Sequence, residues 1–219
     1  MASYAANAPF SFLTDAQVTT TVDQRLESIT ASNSNVYSRG TAGDLDNSSI
    51  PGIIGWTRWA GGTTGGTNPM PQSATGGMPI VYGVQPTALP TSGTADFTKI
   101  GSTQVVGADG GQMGTLQSAQ MRVNFTTMRV GYQMAADFRG NALTTQSSGG
   151  IAAPSITLSS TGVFIDSPFW SGGVCGTAQC AGRVRGFLAG PQANHAGLAF
   201  FITGVGTTAY GAAALASGG

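Results

Sequence analysis

The chain has 219 residues, 34 of them glycine, and only 8% are Asp, Glu, Lys or Arg, nine cations against nine anions. With 41% hydrophobic residues it can bury a core, which excludes a disordered polymer. A formal charge of zero excludes a basic footprint for nucleic acid and steering to an anionic lipid surface.

So few charges, against about a quarter in an ordinary soluble domain, leave the surface to Ser, Thr, Asn, Gln and Gly, as on extracellular and cell-surface proteins. There is no apolar run of the length a transmembrane helix needs. Met1-Ala2-Ser3-Tyr4 lacks the basic start and apolar core of a signal peptide, so a mature form or an excised domain is expected.

In chain order, residues 14–31 carry Val18, Val22, Leu26 and Ile29 at helical spacing, with Thr14 as cap, Gln17 completing a capping box and Leu13 as staple. An amphipathic helix lying over a barrel end is expected there, although Thr19–Thr21 weaken it. Residues 32–52 are loop-like. Strands are expected at 53–59 and 79–84, around a long Gly/Thr/Pro connection at 61–77. A further strand is expected at 94–100. The strongest alternation puts Ala119, Met121, Val123 and Phe125 on one face, then Met128, Val130, Tyr132, Met134, Ala136 and Phe138. Phe125–Met128 is the expected hairpin corner. Further strands follow at 156–158, 162–165, 182–189, 196–203 and 207–214.

Eight to ten strands joined by local turns define an all-β chain, a barrel or a sandwich. An eight-stranded antiparallel up-and-down barrel is preferred, because closure removes edges that one lysine cannot blunt. The expected domains are 1–48, the helix and loop appendage, and 49–219, the barrel.

Cys175 and Cys180 close C-G-T-A-Q-C in a turn between strands, and a disulfide is expected, implying an oxidising compartment. So short a loop removes little chain entropy.

From Gly186 to Phe200 the chain reads G-F-L-A-G-P-Q-A-N-H-A-G-L-A-F. Gly190-Pro191 ends a strand, Gln192–His195 suit one helical turn, and Gly197 stands where a left-handed exit would want glycine. Gly186, Phe187, Gly190, Ala193, Gly197 and Phe200 resemble the signature near the end of the transferrin-binding-protein-B-type barrel domain. Asn194-His195-Ala196 departs from that family's acidic-Leu-Gly lead. The Gly55-Trp56…Trp59…Gly62 run and the Gly-Ala-Ala-Ala ending resemble barrel domains of larger bacterial envelope proteins, some with FecR-type regions. The resemblance implies an eight-stranded barrel on the surface, in the periplasm or outside a Gram-negative cell.

Catalytic and metal chemistry find little purchase. His195 is the one histidine, and no G-x-S-x-G elbow accompanies it. It is read as a turn residue, with haem ligation as the alternative that related small barrels suggest. The acids are scattered, and Asp44-x-Asp46-Asn47 lacks the glycine and distal glutamate of an EF-hand. Phe169-Trp170, beside Gly172-Gly173, is a candidate partner-binding pair together with Trp59, with burial against the barrel end the competing reading. A non-enzymatic surface module that binds a protein or small ligand through its loops is expected, in iron or haem acquisition by resemblance. The alternative is a structural subunit of a self-assembling fibre or surface layer.

Overall fold

A computed structural model describes residues 3–7, 11–31, 34–67, 69–110, 113–175 and 179–218. The N-terminal strands are β1 (Ser3–Asn7), β2 (Ser11–Thr20), β3 (Leu26–Thr30), β4 (Val36–Ser38) and β5 (Gly43–Ile50). After them come β6 (Ile54–Ala60), the short β7 (Gly62–Thr63), β8 (Gly65–Gly66) and β9 (Pro71–Gln72), and β10 (Met78–Val84). They form an antiparallel sheet in the order β5-β6-β10-β1-β2-β3-β4-β8, with β7 and β9 paired separately. Residues 49–84, expected within the barrel domain, thus carry strands that pair in this first sheet.

The helix expected over residues 14–31 is absent. β2 and β3 form a hairpin instead, pairing Val18 with Ile29 and turning through Gln24 at φ 62°. The physical reason is the unbroken β-branched run Val18–Val22, which is stiff at χ1 and packs better on a pleated surface than on a helix. Leu26 and Ile29 still reach a core, with Trp59, Met78, Ile80 and Tyr82, whereas Val22 lies exposed at the turn. Residues 43–50, read as loop, are held as β5 by pairing with β6.

The second sheet is a barrel. It begins with β11 (Thr94–Ser102), β12 (Gln104–Gly107), β13 (Met113–Asn124), β14 (Arg129–Phe138) and β15 (Asn141–Gln146). It continues with β16 (Ile156–Thr157), β17 (Val163–Asp166), β18 (Phe169–Trp170), β19 (Cys180–Ala189), β20 (His195–Thr203) and β21 (Thr208–Ser217). Hydrogen bonding runs β15-β14-β13-β11-β21-β20-β19-β17, with β12 extending the place of β11, β16 that of β15 and β18 that of β17. The ring closes where Thr144 of β15 meets Ser171, just after β18, each donating its backbone N–H to the other's carbonyl at 2.9 Å. Eight wall positions, each joined to its neighbour in sequence, make an up-and-down barrel.

Alternation decides what fills it. Ala119, Met121, Val123, Val130, Tyr132, Met134, Ala136 and Phe138 all face inward, and Phe125–Met128 forms the corner with Met128 at φ 51°. On the opposite face of β19–β21 the first sheet packs against an apolar patch built mostly of alanines. Ile54, Trp56 and Val81 meet Phe187, Ala189, Ala199, Ala212 and Ala214. The alanine-rich ending is thus a close-approach surface. Trp56 lies where a side chain at Gly101 would otherwise stand.

Candidate functional site

The sequence signature resolves into a hairpin that joins the two sheets. β19 ends at Ala189 and β20 starts at His195, opposite it. Gly190 takes φ 82° and donates its N–H to Val84 of the first sheet at 2.9 Å. Exposed Pro191 follows, and Ala193, at φ 54°, donates back to Gly190 at 3.0 Å. The left-handed exit is therefore taken by Ala193, not Gly197. Gly197 lies within β20, where its missing Cβ leaves room for the Phe187 ring from the opposing strand. Gly186 similarly admits the Phe164 ring. Phe187 points outward into the contact between the sheets, and Phe200 points inward, 5.4 Å from Trp170 between ring centroids. These residues build the wall and its attachment.

Cys175 and Cys180 are joined, with S–S 2.06 Å, between a single 3-10 turn at Gly173–Cys175 and the start of β19. His195 lies half-buried with Nδ1 2.8 Å from Asn194 Oδ1, and burial lowers its pKa, favouring neutral imidazole. Among the described residues no group of three or more His, Cys, Asp or Glu side chains converges as a metal site. No helix among them is long and apolar enough to cross a membrane.

Of the three aromatic candidates, Trp59 and Trp170 are fully buried, so neither ring can meet a partner. Trp59 is packed in the core of the first sheet and Trp170 inside the barrel. Phe169 is 60% exposed. The two-residue strand β18 explains the split, because successive side chains leave a strand on opposite faces. Trp170 anchors the segment inward and thereby aims Phe169 outward.

Phe169 stands over a cleft of about 420 Å³ along the closing seam, lined also by Thr144, Gln146, Ser148, Ser171 and Gln179. Thr145 fixes the floor by donating its hydroxyl to the Phe169 carbonyl at 2.8 Å. Thr144 Oγ1 and Ser171 Oγ lie 3.3 Å apart across the seam, both residues exposed. Each described lining side chain is neutral. Sequence reasoning missed these polar residues, since Ser, Thr and Gln cover the whole surface and only the seam gathers them. A second cleft of about 260 Å³ opens in the first sheet between Val18, Gln24, Ile50, Ile53 and Val84, where Tyr82 donates its hydroxyl to the Gln24 carbonyl at 3.3 Å.

No protein-family model matches the chain, and no curated protein is significantly similar in sequence. Among solved structures it is similar to isotype 1 transferrin binding protein B from serogroup B Neisseria meningitidis, at 12% identity and TM-score 0.48, over 99% of this chain and 43% of that one. It is also similar to a mutant of the transferrin binding protein B vaccine antigen from Haemophilus parasuis, at 11% identity and TM-score 0.47, over 98% of this chain and 44% of that one. A surface lipoprotein is matched at 9% identity and TM-score 0.48, over 99% and 98% of the two chains. The chain thus spans under half the length of the transferrin binding protein B chains just described. The barrel assignment rests on the hydrogen-bond register given above.

Proposed function

We propose that the chain is a non-enzymatic binding module of a Gram-negative surface or envelope, holding a ligand or partner on its barrel wall. The observation that carries this is Phe169, an aromatic ring held outward beside a neutral polar cleft by a buried neighbour. An exposed ring on a fixed backbone gains apolar contact on binding while losing little freedom. The disulfide and the sparsely charged surface fit an oxidising, extracytoplasmic setting.

Within this reading, iron or haem acquisition is the finer activity that the family resemblance suggests, with neutral His195 as the haem ligand. Purified protein titrated with haemin tests it. A Soret shift lost in His195→Ala supports haem ligation, and an unshifted spectrum rejects it.

The binding reading is tested by placing a photo-crosslinking residue at position 169, or at exposed position 22, in the protein produced in its native envelope. A defined adduct at 169 but not at 22 is expected. Equal adduct patterns at both sites would overturn the reading.

A further inference from the structure

The geometry points to a neutral saccharide as the ligand of the Phe169 cleft, an inference that rests on the binding reading above. Three features of the site select this chemistry.

The first is charge. Each described lining side chain is neutral, so none of them compensates a carboxylate, sulfate or phosphate, or a cationic side chain. The second is the balance of groups. Phe169 lines the cleft together with hydroxyls and amides that can both donate and accept. Gln146 and Gln179 each offer an amide N–H2 and carbonyl, and Thr144, Ser148 and Ser171 each offer a hydroxyl. A pyranose needs that combination, because its axial C–H face is apolar and its rim is a ring of hydroxyls. A protein partner would call for a cluster of apolar anchors at the centre of the contact, and the described lining residues include a single ring. The third is rigidity. Phe169 pairs with Ala181, its carbonyl accepts from Thr145, Trp170 is locked against Phe200, and the Cys175–Cys180 bridge ties the segment after Ser171 to β19. The cleft, about 420 Å³, falls in the range of small-ligand sites and has room for one or two sugar units.

The test is calorimetric titration of the full chain with maltotetraose, cellotetraose and chitotetraose, alongside a heparin-derived tetrasaccharide and a proline-rich decapeptide. At least one neutral saccharide should bind, about tenfold more weakly in Phe169→Ala and normally in Phe169→Tyr, which keeps the ring. Gln146→Ala, a surface change, should weaken the same saccharide, and Val22→Ser should leave it unaltered. Binding only of heparin fragment or peptide would overturn the inference, as would equal saccharide affinity in wild type and Phe169→Ala. If no neutral saccharide binds while position 169 still yields its specific adduct, the saccharide is wrong and the binding reading stands. If the adduct is absent as well, both fall.

Discussion

Arg58 of β6 and Asp46 of β5 form an ion pair, Nε to Oδ2 at 2.7 Å, with the Arg58 side chain only 3% exposed. The same carboxylate oxygen accepts the backbone N–H of Gln104 in the barrel at 2.9 Å, and Arg58 reaches the Gln104 side-chain carbonyl at 3.2 Å. A polar clamp therefore sits beside the apolar contact made by Trp56 and the alanines. It fixes how the first sheet lies on the wall.

Breaking that clamp from one side strands a charge. Arg58→Met should lower unfolding free energy by about 3 kcal/mol, because Asp46 loses its counter-charge in a largely buried setting. Asp46→Asn, which tolerates the φ of 54° at this bulge, should cost less, since the amide oxygen can still accept from Gln104. Urea denaturation curves measure both. Equal, near-zero losses would mean the clamp does not hold the sheets.

Gly197 and Phe187 face each other across β20 and β19. Gly197→Ala should destabilise by about 1–3 kcal/mol through overpacking against the ring. Adding Phe187→Ala should recover part of the Gly197→Ala effect, while itself opening a void between the sheets. A double-mutant cycle on thermal or urea unfolding reads the coupling. Strict additivity would show that the ring does not occupy that space.

Replacing both cysteines by serine should cost at most about 3 kcal/mol, because so short a loop restricts the unfolded chain little. Native, unreduced protein should resist alkylation at both positions, as read by mass spectrometry. Two alkylated thiols would show that the bridge is not formed.

Alkaline stability should report the buried tyrosines. Burial, then the nearby Asp44 charge, pushes Tyr82 up to about 12, and burial with Asp166 raises Tyr132. Tyr132 donates its hydroxyl to Asp166 at 2.6 Å. The native state keeps these protons where the unfolded chain, near its ordinary value of 10.0, releases them. Their contribution is therefore complete below that value and declines as pH rises above it, that of Tyr82 being lost as pH passes about 12. The melting temperature should fall across this interval, less steeply in Tyr82→Phe. Identical slopes would contradict the burial.

Much of the barrel is legible in the residue pattern alone, because β13 and β14 alternate cleanly and their corner is short. The first sheet is not. In residues 43–50 the sequence GDLDNSSI has no apolar period, and only pairing with β6 makes it a strand. Val18, Val22, Leu26 and Ile29 satisfy a helical spacing by coincidence, and the hairpin wins through its β-branched residues. Phe169 and Trp170 look equivalent in sequence, and a closed ring is needed to say which faces the core. Spacing alone puts Gly197 at the turn for its backbone, whereas its use lies in the ring packed above it.

The most direct test is solution NMR of the full chain at the seam. Cross-strand contacts between Thr144 and Ser171, with slow hydrogen exchange at both amides, are expected for a closed wall that holds Phe169 outward. Fast exchange at both amides with no such contact would mean an open sheet, and would leave the Phe169 cleft without its floor.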